Sequence, residues 1–302
     1  MTRVTLLGTL IAVGGLSLAV SGQAPGPSAK AIAATKIEKV KDNLYIITGS
    51  GVEDTTAFSG GNVAVFITDG GVTLVDAKLP GFGPTIVARV KSVTNKPITR
   101  IINTHTHADH TGSNEFFGAS IESIVQENTK ANMAKMDAFK GDKAQFLPKR
   151  TYKDKMSVGS GKNRVDLYYF GAGHTNGDAW VVYPSLRVLQ TGDMFAWRDA
   201  PTIDRNNGGS AVEYPKTLSR AVAGIKDVDT VIPGHSPVTT PKDLQEYQRF
   251  VTDWVAAVQS AAAAGKTVDD AVAAINLTSK YPGYKSERYK AAIPVVYAEL
   301  KK

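Results

Sequence analysis

The chain of 302 residues carries 35 lysines and arginines against 28 aspartates and glutamates, a formal net charge of +7, with 42% apolar and 21% charged residues and no cysteine. This balance supports a sizeable globular core and excludes a disulfide-stapled scaffold. With no basic block and no interleaving of basic with aromatic residues it gives no footprint for nucleic acid, while the mild positive excess favours anionic small molecules.

Met1-Thr2-Arg3 is a short basic start, residues 4–20 are apolar, and small residues and prolines follow. The pattern reads as a secretory signal peptide over residues 1–31, cut near Ala24 or at Ala29-Lys30-Ala31. The apolar run is barely long enough to span a bilayer, so no stable membrane insertion is expected after cleavage. The expected destination is the periplasm or the outside of the cell. Residues 36–302 are expected to form one catalytic domain.

Beyond the leader, residues 43–48, 62–68 and 72–76 are rich in Val and Ile between Gly and Asp turns, the signature of strands. Residues 84–93 predict a helix, 99–104 a short buried strand, and 111–117 the start of another helix. Residues 127–140 predict a helix whose Met133, Met136 and Phe139 stripe is core packing. In the second half, strands are expected over 165–170, 179–183 and 187–189, and a helix over 214–225. A long helix is expected over 241–264, with Pro241 in its first turn and Gly265 past its end.

The chemistry concentrates in Thr104-His105-Thr106-His107-Ala108-Asp109-His110, which holds three of the five histidines. The other two, His174 and His235, each follow a glycine in turn-like contexts, so none is left for ordinary structural duty. His105 and His107 are two apart and share a side of an extended segment, whereas Asp109 and His110 diverge, as ligation of a second, neighbouring ion requires. Zinc takes imidazole nitrogen and carboxylate oxygen and keeps a position for water in catalytic sites. The loop follows a strand, where α/β folds place ligands.

The order His-x-His-x-Asp-His, Gly-x-Gly-His-Thr, Thr-Gly-Asp and Pro-Gly-His, preceded by Asp76 at the end of Thr73-Leu74-Val75-Asp76, resembles the metallo-β-lactamase superfamily from about residue 36 to about residue 240. The resemblance implies an α/β chain folded as a four-layer αββα sandwich. It implies a first metal site of His105, His107 and His174, and a second of Asp109, His110 and His235. Asp193 would bridge the two ions, Asp76 would support the metal loop, and Asp109 would take part in catalysis. Two Zn²⁺ per chain are expected, although ligand type alone also suits iron or manganese. A water between two such ions has a pKa near neutrality and would attack an ester, lactone, thioester or amide carbonyl of a small-molecule substrate.

Departures bear on the substrate. The superfamily members that hydrolyse β-lactams with a cysteine ligand have it where Asp193 stands, and a lysine that clamps the drug carboxylate where Ala196 stands. The aspartate resembles the glyoxalase II, lactonase and phosphodiesterase-like branches instead. Yet Ser236-Pro237-Val238 is not the Glu-Tyr-Thr of glyoxalase II, and Met194 to Trp197 contain no lactonase-like tyrosine. Activity on β-lactams is the alternative hydrolase reading. A second class is a persulfide dioxygenase holding one iron on His105, His174 and Asp193; a third is a metal binder without catalysis. Two loops are expected to shape the pocket: residues 49–61 with Phe58, and residues 196–210 with Trp197 and Arg198. Asn176 is a candidate donor to the oxyanion.

Overall fold

The computed structural model describes residues 26–301, so nearly all of the expected signal peptide lies outside the described residues. The chain opens with helix α1 (Ala29–Ala34) and strands β1 (Ile37–Lys41), β2 (Leu44–Ile47), β3 (Val63–Thr68) and β4 (Gly71–Val75). Helix α2 (Gly83–Lys91), strand β5 (Ile98–Ile102), the single turn α3 (Ala108–Thr111), strand β6 (Glu122–Gln126), helix α4 (Glu127–Met133) and strand β7 (Arg150–Tyr152) complete the first half. The second half contains β8 (Lys155–Val158), β9 (Val165–Tyr168), β10 (Trp180–Tyr183), β11 (Val188–Gly192), α5 (Tyr214–Gly224), β12 (Thr230–Pro233), α6 (Pro241–Ala263), α7 (Val268–Ala274) and α8 (Tyr289–Leu300).

Seven strands form one sheet in the order β1 to β7, and five form a second in the order β12-β11-β10-β9-β8. The first is antiparallel from β1 to β4 and parallel from β4 to β7. Only the β11–β12 pairing is parallel in the second.

The period-two alternation of strands decides the layering. On β3, Ala64 and Phe66 face the second sheet and meet Val181, Tyr183 and Ile232. Val63 and Val65 face outward onto Ile86 and Val90 of α2. On β10, Trp180 and Val182 turn outward beneath Leu218 of α5, Phe250 and Trp254 of α6, and Ile293 of α8. Helix, sheet, sheet and helix therefore stack as the αββα sandwich the motif order implied.

The expected helix over 127–140 is corrected. It ends at Met133, and 3₁₀ turns follow over Asp137–Phe139 and Gly141–Phe146. In a continuous α-helix, residues three apart drift around the axis, and Phe139 would leave the face of Met133. Breaking the helix returns Met133, Met136 and Phe139 to one cluster against Val125. The helix expected from residue 111 is likewise reduced to α3 and a 3₁₀ turn over Asn114–Phe117. Gly112 closes against Pro80, and an added Cβ would lie 2.3 Å from its Cδ. Strand β11 starts at Val188 because Arg187 is left-handed (φ 56°).

Candidate metal centre

All five histidines and the acids of the motifs meet at one edge of the sandwich, past the C-terminal ends of β4, β5, β9, β11 and β12. Asp76 follows β4, His105 and His107 follow β5, and Asp109 and His110 ride on α3. His174 lies in the loop after β9, Asp193 after β11, and His235 after β12. Residues separated by up to 159 positions in sequence, Asp76 and His235, are gathered because strand ends, unlike strand faces, leave side chains free of the core.

Two triads share this space. His105 Nε2 and His174 Nε2 lie 3.2 Å and 2.9 Å from His107 Nδ1, so three ring nitrogens converge. His235 Nε2 lies 3.3 Å from His110 Nε2 and 3.2 Å from Asp109 Oδ2. Asp193 lies between them: its Oδ1 is 3.3 Å from His110 Nε2, and its Oδ2 is 3.2 Å from His235 Nε2 and 3.7 Å from His174 Nε2. The ligand-atom clusters His105–His107–His174, His105–His110–Asp193 and Asp109–His110–His235 each fit around one ion. On α3, Asp109 and His110 are brought to one side by a helical turn, not by an extended segment.

The far side of four of these rings is anchored. Asp76 Oδ2 accepts from His110 Nδ1 at 2.8 Å and from Thr104 Oγ1 at 2.8 Å, and Oδ1 from the Thr104 amide at 2.7 Å. Thr104 Oγ1 in turn accepts from His105 Nδ1 at 3.0 Å. His174 Nδ1 donates to Thr202 O at 2.8 Å, and His107 Nε2 to Asp204 Oδ2 at 2.7 Å. Each partner fixes a tautomer and directs the opposite nitrogen inward. Asp204 was legible only as a loop residue; its bond to His107 spans 97 positions, and no local pattern encodes it.

Electrostatics fit a cation site. Burial pushes His110 down, but the charges of Asp109, Asp193 and Asp76 outweigh it and raise its pKa well above the usual imidazole range. Burial, with neighbouring imidazoles, holds His105 well below that range. Burial pushes the Asp193 carboxyl up, yet the charges of His235 and His110 hold it well below the usual carboxylate range. Asp193 Oδ1 is buried without a hydrogen-bond partner. A buried carboxylate oxygen left so is costly unless a cation answers it, and five imidazoles with two carboxylates are the donor set of zinc-type ions.

Supports that the sequence did not reveal complete the site. Lys78 is fully buried and donates to Gly61 O at 2.9 Å. Burial lowers its pKa to about 7 against the pull of Asp109 and Asp76. Tyr214 Oη holds Asp193 O at 2.9 Å, and Asn103 Nδ2 holds His110 O at 2.9 Å. Two glycines are required by close approach: a Cβ on Gly234 would sit 1.9 Å from Asp193 Oδ1, and one on Gly61 would sit 2.2 Å from His110 Cε1.

Of the pocket candidates, Phe58 and Trp197 both flank His235, with ring centroids 5.7 Å and 5.5 Å away. Arg198 turns elsewhere, pairing with Asp243 and lying over Tyr284. Asn176 is engaged in the fold: its Oδ1 accepts from Asn132 at 2.8 Å, its backbone oxygen from Asn128, and its amide packs on Gly208.

Residues 57–235, which hold every one of these ligands, match the sequence profile of the Metallo-beta-lactamase superfamily. The chain belongs to the metallo-β-lactamase superfamily. It is 27% identical over 207 residues to a metallo-beta-lactamase type 2 of Elizabethkingia meningoseptica, covering 66% of this chain and 78% of that one. It is 25% identical over 198 residues to metallo-beta-lactamase IND-1 of Chryseobacterium indologenes, covering 65% and 80%. The fold is similar to the solved metallo-β-lactamase from Pontibacter korlensis, with a TM-score of 0.62 and 17% identity over 72% of this chain and 99% of that chain. It is similar also to DIM-1 metallo-beta-lactamase, with a TM-score of 0.61 and 20% identity over 72% and 97%. This superfamily member is a metallo-hydrolase, and its clustered histidines and aspartates bring their donor atoms close enough together to hold a metal ion.

Proposed function

We propose that this chain is an exported dinuclear zinc hydrolase that cleaves an ester, lactone, thioester or amide bond. The observation that carries the reading is Asp193, whose two oxygens lie between the two candidate triads, Oδ1 3.3 Å from His110 Nε2 and Oδ2 3.2 Å from His235 Nε2. His105, His107 and His174 would hold one ion, and Asp109, His110 and His235 the other. Two such ions, when bound, supply Lewis acidity and a water acidic enough to ionise near neutrality.

The chain's own residues do the rest. Asp76, Asp204 and Thr202 hold the ligand rings in one tautomer and orientation. Phe58 and Trp197 wall the ligand His235 and exclude water from one side of the reacting centre. The complete Asp109–His110–His235 triad favours this reading over a single-iron dioxygenase on His105, His174 and Asp193.

β-Lactam hydrolysis is the second reading, favoured by the relatives named above. Asp193 in place of a cysteine and Ala196 in place of a lysine weigh toward the other carbonyl substrates. Export is supported by the basic and apolar start of the chain. The cut near Ala24 is the better of the two, because a cut after Ala31 would remove Ser28, which caps α1 and donates to Thr56 O, and Lys30, which pairs with Asp54.

Elemental mass spectrometry on protein exported to the periplasm tests the reading. About two zinc per chain, with turnover on a panel of lactones, thioesters, esters and β-lactams, is the expected result. About one iron per chain, or no metal after reconstitution, overturns it.

A further inference from the structure

The loop between β11 and α5 carries the outer partners of two ligands of the first triad. Asp204 Oδ2 accepts from His107 Nε2 at 2.7 Å, and the Thr202 carbonyl accepts from His174 Nδ1 at 2.8 Å. Backbone bonds lace the same loop to the His174 segment. The Asp204 amide donates to His174 O at 2.8 Å, and the Ser210 amide donates to Gly173 O at 3.0 Å. Where this loop sits therefore decides where two of the three converging ring nitrogens point.

Residues 285–299 fix that loop at both ends, although they lie outside residues 57–235, which match the superfamily profile. At the near end the Lys285 amide donates to Arg198 O at 2.9 Å, and the Arg288 amide donates to Asp199 Oδ2 at 3.2 Å. At the far end one side chain of α8, Glu299, takes hold. Its Oε1 accepts from Ser210 Oγ at 2.5 Å, and its Oε2 accepts from the Ala211 amide at 2.8 Å. Arg205, the residue after Asp204, brings Nη1 to 3.0 Å from Oε2 as an ion pair, without the alignment of a hydrogen bond. The Glu299 side chain is only 16% exposed, so little water competes for these contacts. Docking of α8 does not need the carboxylate, because Ile293 and Val296 already bury its apolar face in the core. The carboxylate is spent on the loop.

We infer that Glu299 is a positioning residue for the first metal site: it clamps the β11–α5 loop and, through Asp204 and Thr202, sets the rings of His107 and His174. The inference rests on the hydrolase reading for the ion those rings hold, whereas the clamp itself stands on the contacts of Glu299.

The test measures zinc affinity of the full chain by competition with a chelating dye, in two backgrounds. His235→Ala leaves the first triad complete, and His107→Ala leaves the second complete. Glu299→Ala is expected to weaken zinc binding roughly threefold to tenfold in the first background, less than the loss of a direct outer partner. In the second background the change is expected to stay below about twofold. Glu299→Gln, which keeps an acceptor at the same reach, restores part of the loss. Val296→Ala opens a cavity in the docking face of α8 and lowers the melting temperature without the selective loss. In parallel, hydrogen exchange of the metal-free protein is followed by mass spectrometry on peptides spanning residues 200–211. Exchange there is expected to be faster in Glu299→Ala than in wild type. Equal weakening in both backgrounds, no weakening in either, or the same selective loss in Val296→Ala would overturn the inference and leave Glu299 a prop for the fold. If wild type takes up no zinc while the loop still exchanges faster without Glu299, the hydrolase reading fails and the clamp stands. Unchanged exchange in that case removes the clamp as well.

Discussion

Asp76 Oδ2 lies 2.8 Å from His110 Nδ1, and neither side chain has any exposed surface. The same carboxylate holds Thr104 by both its amide and its hydroxyl, and through that hydroxyl it reaches His105. One aspartate therefore orients an imidazole of each triad. It does so from a left-handed backbone (φ 72°), a conformation that Asp and Asn adopt more readily than most residues.

Asp76→Asn keeps the shape and tolerates the same backbone, but loses the charge that supports His110. Metal affinity is expected to fall roughly tenfold to a hundredfold while the fold is kept. A competition titration against a chelating dye reads the affinity, and circular dichroism checks the fold. Unchanged affinity would remove Asp76 from the metal-supporting network.

His107→Ala removes the ring whose Nδ1 faces both His105 and His174. Asp109→Ala removes the carboxylate facing His235. Each is expected to cut turnover by more than the roughly hundredfold that losing an outer partner costs, with the fold intact. A folded variant of either kind with full activity would sink the assignment of the site.

Gly234→Ala tests packing instead of chemistry. Its new Cβ would sit 1.9 Å from Asp193 Oδ1, so the carboxylate must move. Metal content per chain is expected to fall below that of wild type, with less than about 2 kcal/mol lost in stability. Denaturant unfolding and elemental analysis on the same preparation separate the two effects.

Asp243 closes the capping box at the start of α6 with Thr240. Burial pushes its carboxyl up, but hydrogen bonds from Thr239 and Thr240 and the charge of Arg198 hold it at about 2, below the ordinary 3.8. A depressed carboxylate stabilises the fold above its unfolded pKa and loses that contribution as pH falls through the folded value. Asp243→Ala is therefore expected to cost about 1 kcal/mol near pH 7. The difference from wild type should close as pH falls from about 4 to about 2. Melting temperatures of both proteins across that range read it, and a difference that widens toward low pH would reverse the sign.

The sequence alone determined which donor residues were candidates, because a metal centre needs particular donor atoms and this chain has five histidines to supply them, all in motif contexts. It determined the strands that alternate in period two or run apolar, such as Val63–Thr68 and Gly71–Val75, and the long α6, whose Thr240-Pro241 start and Gly265 stop are local signals. Short edge strands such as Ile37–Lys41 and Arg150–Tyr152 were not legible, since their half-exposed sequences become strands only by pairing with a neighbour. Helix α8 was hidden by Pro294 in its interior, which its packing against α6 and α7 overrides. Only the tertiary structure decided which groups hold the ligands in place. The bond of Asp204 to His107, the burial of Lys78 beneath Gly61 and the stack of Arg288 on Trp197 join residues from 17 to 97 positions apart. Those distances are closed by strand ends meeting at one edge of a sandwich, a relation that no local pattern of residues carries.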